Sequence, residues 1–219
     1  RAPSTLQPRS EVDQPQRRAN AVLVANQGGR RVAKGFLVSE HVGLTLAFEL
    51  VGACKPSRRY SSGDLVRELA ITAGSRHLVG GQVMDIEGEG AGLDARQLRF
   101  IHESKTAALL TCALRLGAMS AGATPKKLEA LTEFGRATGL AFQIIDDILD
   151  VTQTSEKLGK SAGKDAATDK ATYPAIHGLE KSRREAGRLT RRATAALAPF
   201  GRRGDRLEQF ARYLLDRDY

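Results

Sequence analysis

An apolar helical stretch that contains three carboxylates, Phe142–Asp150, constrains this chain more than any other part of its sequence. A carboxylate costs several kcal/mol to bury unpaired, so acids in such a stretch need a cation or strong hydrogen-bond donors. On a helix, Asp146 and Asp150 lie one turn apart, and Gln143 lies one turn before them on the same edge. Their oxygens converge, and the stretch therefore predicts a polar site built on a helix.

Hard oxygen ligands presented in this way favour Mg²⁺, which keeps several waters and completes its coordination with substrate phosphates. Such a site would hold a metal ion and a phosphorylated ligand together. The alternative interpretation is an acidic helix edge whose carboxylates pair with lysines elsewhere in the fold.

Capping residues and apolar spacing predict two helices before this stretch. Ser61 and Ser62 can cap a helix whose apolar positions recur at three- and four-residue spacing through residues 65–84. Asp94 is a second N-cap, and its helix is almost wholly apolar over residues 107–119. Because a helix that is apolar all round is buried, we expect this helix to be central in the fold.

Thr124 and Pro125 predict the start of the helix that carries the carboxylates, as cap and first helical residue. Its packing stripe is predicted to be Leu128, Leu131, Phe134, Thr138, Phe142, Ile145 and Leu149. The carboxylate edge, with Gln143, Asp146 and Asp150, lies about 100° from this stripe. The edge can therefore face a cavity while the stripe faces the core.

The remaining sequence predicts one helical domain with an N-terminal arm. Residues 1–35 carry seven basic and two acidic side chains, with no sustained apolar period, so we predict a basic, disordered arm over residues 1–40. Residues 41–219 form the domain, which ends in amphipathic helices over 172–198 and 204–217. No strand pattern occurs, and an all-α bundle is the predicted fold class.

Composition limits the cellular context and the partners. Two cysteines and no visible signal peptide indicate the cytoplasm, and no apolar run is long enough to span a bilayer. The net charge of +9 raises the question of nucleic acid, but basic and acidic residues are interspersed after residue 55 and no nucleic-acid motif occurs. A polyanionic small substrate accounts for the excess equally well, so we expect no nucleic-acid partner.

Several motifs, in order, resemble the trans-isoprenyl diphosphate synthase family of farnesyl and geranylgeranyl diphosphate synthases. Gly80–Asp85 is similar to the G-Q-x-x-D segment of that family, and His102–Leu109 is similar to its K-T helix. The carboxylate stretch, with the glycine-spaced basic segment Leu158–Asp165 and with Asp169–Pro174, resembles its second aspartate-rich motif. The resemblance extends over residues 44–219.

The resemblance implies an isoprenoid-synthase-type bundle that condenses isopentenyl diphosphate with an allylic prenyl diphosphate, uses Mg²⁺ and forms a homodimer. The implied metal ligands are Asp146, Asp147 and Asp150. The implied substrate-binding residues are Lys105, Lys160, Lys170 and Gln82, and the implied catalytic residues are Lys105, Thr106, Gln143 and Asp85. From its position alone, Lys105 would either extend to the surface or meet an anion.

Members of the family also carry a first aspartate-rich motif on a facing helix and a basic segment nearer the N-terminus, and this sequence has neither. We therefore expect a bundle that is incomplete at its N-terminal side. Two functions stay open. One is a prenyl diphosphate synthase; the other is a non-catalytic or truncated synthase-like subunit that dimerises with a complete synthase.

Overall fold

A computed structural model gives the fold and describes residues 31–88, 90, 92–152 and 171–215. Contacts divide the chain into two compact units, residues 1–50 and residues 51–219. The described part of the first unit is helical and belongs to helix α1 (Arg31–Ala53). Helix α1 thus begins inside the segment 1–40 that the sequence predicts to be an arm. Residues 1–30 lie outside the described residues, and the arm stays a prediction for them.

The second unit contains helices and no strand within the described ranges, which confirms the predicted all-α class. Its elements are α2 (Ser62–Ala73), α3 (Leu78–Glu87), α4 (Ala95–Ile101), a π-helical turn (His102–Ala107), α5 (Ala108–Ser120), α6 (Pro125–Thr152), α7 (Tyr173–His177), α8 (Leu179–Ala196), a 3₁₀ segment (Ala198–Gly204) and α9 (Asp205–Leu215). None of the described helices is both long and apolar enough to cross a lipid bilayer.

Three of the predicted helix starts are confirmed by their caps. The Ser61 hydroxyl accepts a hydrogen bond from the Asp64 backbone N–H, and the Asp64 carboxylate accepts one from the Ser61 N–H in return. Asp94 and Gln97 form the same reciprocal capping box at the start of α4. Thr124 accepts a longer bond, 3.5 Å, from the backbone of the first turn of α6. These short-range patterns fix where the helices begin.

Two predicted helices are interrupted, each of them at a glycine. The helix predicted through residues 65–84 ends at Ala73, because Gly74 is extended (ψ −172°), and α3 begins afresh at Leu78. The helix predicted over residues 172–198 is broken at Gly178, whose φ of 81° lies in the left-handed region that favours glycine. The apolar spacing continued across both breaks and concealed them.

Helix α6, which carries the carboxylates, is the central element of the second unit. Its contacts with α8 and with α5 are more extensive than the contacts between any other two described elements. The predicted stripe was too narrow, because Ala137, Ala141 and Ile144 are buried between its members. The prediction that the 107–119 helix is central was wrong in part, since α5 exposes Ala113 and Gly117. The carboxylates therefore stand at one end of the most buried helix.

Candidate active site

A cavity of about 210 Å³ lies where α3, α4, the π-helical turn and the last turns of α6 meet. Its polar lining consists of Asp85, His102, Lys105, Gln143, Asp146, Asp147 and Asp150. Leu93, Leu98 and Ile101 supply much of the apolar wall. Three segments that are distant in sequence thus bring most of the predicted site residues into one small space.

Lys105 projects from the π-helical turn, a rare helix geometry that often occurs at functional sites. Its Nζ lies 2.6 Å from Asp85 Oδ2 on α3. The lysine side chain is 35% exposed and the carboxylate 15%, so the pair sits at the edge of the cavity. Of the two alternatives for Lys105, extension to the surface or contact with an anion, the structure supports the anion and identifies it as Asp85.

Thr106, the next residue, bonds to the other side of the cavity. Its Oγ1 donates a hydrogen bond of 2.8 Å to Gln143 Oε1 on α6. The Gln143 amide in turn donates to Asp146 Oδ2 over a longer 3.4 Å. A polar connection therefore runs from the π-helical turn to the first carboxylate of α6.

Asp147 faces a different set of groups. Its Oδ2 accepts a hydrogen bond of 2.7 Å from the backbone N–H of Tyr173 and lies 3.4 Å from His102 Nε2. Both side chains are largely buried. Burial also raises the pKa of the Tyr173 phenol above its usual 10.0. Asp147 thus joins the start of α7 to α6, a role that sequence reasoning missed.

Sequence reasoning also missed His102, which it quoted only as the first letter of a motif. His102 is 5% exposed and lines the same cavity as Lys105 and Asp147. Its spacing of three residues from Lys105 was the available signal, because residues three apart share a helix face.

The donor set fits a metal ion that is held partly by its ligand. Within the described ranges, no three Asp, Glu, His or Cys side chains are placed to enclose a metal ion together. Mg²⁺ does not need such a cage, since one or two carboxylates with waters and phosphate oxygens suffice. Asp146 and Asp150, one turn apart on the cavity edge of α6, are the pair that matches this requirement.

Three further predicted site residues are Gln82, Lys160 and Lys170. Gln82 is exposed on α3 and does not line this cavity. Lys160 and Lys170 lie outside the described residues. The substrate-binding roles of these three residues stay predictions.

A family model described as polyprenyl synthetase matches residues 16–197 of the chain. Heterodimeric geranylgeranyl pyrophosphate synthase large subunit 1, chloroplastic, from Arabidopsis thaliana, is 47% identical over 163 residues, covering 72% of this chain and 44% of the relative. A chloroplastic geranylgeranyl pyrophosphate synthase from Capsicum annuum is 45% identical over 181 residues, covering 80% and 48%. The chain thus spans less than half the length of these relatives.

Solved structures agree with the sequence comparison. An FPP/GFPP synthase from Zymomonas mobilis superposes with a TM-score of 0.65 at 32% identity, covering 78% of this chain and 57% of that one. A geranyltransferase from Helicobacter pylori, in complex with magnesium and isoprenyl diphosphate, superposes with a TM-score of 0.64 at 29% identity. This second match covers 84% of this chain and 60% of that one.

Proposed function

This chain belongs to the polyprenyl synthetase family, and we propose that its cavity condenses isopentenyl diphosphate with an allylic prenyl diphosphate. One observation carries the proposal. Lys105 belongs to one sequence motif, and Gln143 and the α6 carboxylates belong to another, yet all of them line a single cavity of about 210 Å³. A cation, hydroxyl and amide oxygens, and carboxylates are the groups that an ionising diphosphate ester requires.

The first step of the proposed reaction is loss of diphosphate from the allylic substrate, which leaves a carbocation. Charge develops on the departing group, so fixed cations beside it lower the barrier. We propose Lys105 for this role, in which it would exchange Asp85 for a diphosphate oxygen. Lys160 and Lys170 are proposed to contribute to the same charge, and Gln82 to contact substrate from α3.

The carbocation is then attacked by the double bond of isopentenyl diphosphate, and a proton is lost. Thr106 and Gln143 are proposed to present their oxygens to the cation. The 2.8 Å bond between them holds both oxygens in place before the charge appears. Asp85, once Lys105 turns to diphosphate, adds a negative charge on the same side of the cavity.

Mg²⁺ is the proposed cofactor, and Asp146 and Asp150 are the residues that would hold it. When bound, the ion would neutralise diphosphate charge and orient the leaving group. Asp147 was predicted as a third ligand. Because its Oδ2 already accepts the Tyr173 N–H, we propose that it mainly fixes α7 against α6.

Binding of inorganic pyrophosphate, measured by calorimetry with Mg²⁺ or EDTA, tests the site. We expect binding with Mg²⁺ and a loss of about tenfold or more in affinity for Asp146→Ala. Asp205→Ala, an exposed acid on α9, is the matched control and leaves binding unchanged. Equal binding in EDTA, or equal losses in both variants, would count against the metal site.

The family match gives neither the oligomeric state nor the cellular compartment of this chain, and both are proposed here. We propose a homodimer, to be measured by analytical ultracentrifugation; the Arabidopsis relative is itself named as heterodimeric. Both plant relatives are named as chloroplastic, so a plastid is the location that these names support over the predicted cytoplasm. Imaging of the full chain fused to a fluorescent protein distinguishes the two compartments.

A further inference from the structure

Two glycines, one on α3 and one on α6, lie very close to the π-helical turn. A Cβ at Gly81 on α3 would lie 2.8 Å from the Lys105 backbone nitrogen and 2.9 Å from Ser104 Cβ. A Cβ at Gly139 on α6 would lie within 2.6 Å of both the Cα and the Cβ of Ala107. Carbon atoms do not approach so closely, and backbone atoms cannot turn aside. Only glycine therefore permits either helix to lie this near the turn.

Each glycine also lies four residues before a side chain that makes a contact in the candidate active site. Asp85, which pairs with Lys105, follows Gly81 by four residues, and Gln143, which bonds Thr106, follows Gly139 by four. Residues four apart on a helix lie on the same face. On both α3 and α6, therefore, the face that contacts the π-helical turn has a glycine at the point of contact. One turn later, the same face carries the side chain that bonds to the turn.

A neighbouring glycine shows what packing alone looks like. A Cβ at Gly135 would lie 2.8 Å from the Thr111 Cα, so this position is as crowded as Gly81 and a little less crowded than Gly139. The Thr111 hydroxyl, however, bonds the Ala107 carbonyl of its own helix segment, and the residue four positions after Gly135 is Gly139. The side-chain bond between these two helices near Gly135, from Arg115 to the Thr132 hydroxyl, lies three residues before this glycine and not one turn after it. Crowding and register coincide at Gly81 and Gly139 in particular.

We propose that Gly81 and Gly139 are positioning residues of the active site. By letting α3 and α6 approach the π-helical turn, they set the reach of Asp85 to Lys105 and of Gln143 to Thr106. The role of these contacts in catalysis rests on the proposed function. The dependence of the contacts on the two glycines does not, and it can be measured without any substrate.

The Gly139 contact is tested by NMR of the Gln143 side-chain amide in ¹⁵N-labelled full chain, assigned through its loss in Gln143→Ala. Thr106→Val removes the hydroxyl and gives the reference position of the signal without the bond. We expect Gly139→Ala to move the signal to that reference position. Gly135→Ala, whose new Cβ would meet the Thr111 Cα at 2.8 Å, lowers the unfolding midpoint but leaves the signal in place. A signal that stays in place in Gly139→Ala overturns the proposal.

Gly139→Ala could prevent folding, so a companion variant is included. Ala107→Gly removes one of the two atoms that the new Cβ would meet. In the double variant Ala107→Gly, Gly139→Ala we expect a folded chain whose Gln143 signal moves partway back toward wild type. A folded double variant with the signal fully at the Thr106→Val position would show that crowding at Ala107 is not the cause.

The Gly81 contact has its own readout, the rate of reductive methylation of Lys105 followed by mass spectrometry. A lysine held by a carboxylate reacts slowly, and Asp85→Asn gives the rate without the ion pair. We expect Gly81→Ala to raise the rate at least about threefold, toward that of Asp85→Asn, since small losses of interaction energy change populations by such factors. Lys126 in the same sample is the internal reference. Gly117→Ala, where a Cβ meets nothing within 4 Å, leaves the rate unchanged. An unchanged rate in folded Gly81→Ala contradicts the proposal.

These outcomes separate the two proposals. If the full chain binds no magnesium pyrophosphate while Gly139→Ala shifts the Gln143 signal and Gly81→Ala raises the methylation rate of Lys105, the proposed function fails and the positioning inference stands. If the chain binds magnesium pyrophosphate and neither readout changes, the proposed metal site stands and the positioning inference fails.

Discussion

Lys105 Nζ lies 2.6 Å from Asp85 Oδ2, so the lysine proposed to receive diphosphate is paired with a carboxylate of its own cavity. A diphosphate carries more negative charge than one carboxylate and offers more acceptor oxygens. Ligand binding therefore replaces one ion pair with a stronger one, which limits the cost of freeing the lysine.

Lys105→Met is predicted to weaken binding of magnesium pyrophosphate by about tenfold or more, because a hydrogen bond to a charged group is lost. The free energy of unfolding should fall by no more than about 1 kcal/mol, since Lys105 is one-third exposed. Calorimetry and urea unfolding measure the two effects. Lys126→Met, an exposed lysine of α6, is the control; an equal loss of affinity there would show that only overall charge matters.

Asp147 and Asp150 are predicted to differ although both belong to the same motif. Asp147→Ala leaves the Tyr173 N–H without its acceptor and should lower the free energy of unfolding by about 1–3 kcal/mol without metal. Asp150 lies at the exposed end of α6, so Asp150→Ala should lower the free energy of unfolding by less. This variant should instead weaken the magnesium dependence of pyrophosphate binding. Urea unfolding with EDTA and calorimetry with Mg²⁺ separate the roles. Similar stability losses for both variants would contradict this division.

The contacts of Asp85 with Lys105 and of Asp147 with Tyr173 could not be predicted from the sequence, whereas the helix caps and the carboxylate edge could. Caps at Ser61 and Asp94 depend on residues three apart, and the carboxylate edge depends on residues four apart, so local spacing predicted both. The pairing of Asp85 with Lys105, and of Asp147 with the backbone of Tyr173, depends on how whole helices pack. No local pattern reports such packing.

The breaks at Gly74 and Gly178 were missed for a related reason. Apolar residues continued at helical spacing across each glycine, and spacing does not record the backbone angles of a single residue. The close approaches at Gly81 and Gly139 are likewise invisible in one sequence, because a glycine inside a helix has the same letter whether or not a neighbour presses on it. Packing, and not propensity, decides which glycine matters.

The ion pair between Arg115 and Glu68 is predicted to stabilise the second unit. Two hydrogen bonds of 2.5 and 3.0 Å join the side chains, and Arg115 also donates to the Thr132 hydroxyl. The bond to Glu68 raises the pKa of Arg115 above its usual value. Glu68→Gln should lower the free energy of unfolding by about 1–2 kcal/mol, because both partners are mostly buried.

Urea unfolding measures this loss, and an exposed pair on α8 provides the control. Glu180→Gln removes the partner of Arg183, at 3.0 Å, where both side chains are more than half exposed. We expect a change of no more than about 0.5 kcal/mol there. Equal effects in the two variants would mean that burial adds nothing to the Arg115 pair.

The capping box of α2 should make stability depend on acid pH. The Ser61 hydroxyl and backbone N–H both donate to Asp64, which lowers the pKa of this carboxyl below its usual 3.8. Its stabilisation is therefore present above the unfolded pKa and is lost as pH falls through the lower folded pKa. Asp64→Asn should lose less stability than wild type between pH 6 and pH 2, a window of about two units on either side of the usual value. Urea midpoints across this range measure it, and parallel curves would contradict the assignment.

Condensation of labelled isopentenyl diphosphate with farnesyl diphosphate by the full chain, with Mg²⁺ and with EDTA, tests the proposed activity directly. We expect a longer prenyl diphosphate that forms only with Mg²⁺, is lost in Asp146→Ala and is retained in Asp205→Ala. A folded chain that binds magnesium pyrophosphate but forms no product, alone or at any metal concentration, would contradict the proposed activity and favour the synthase-like subunit instead.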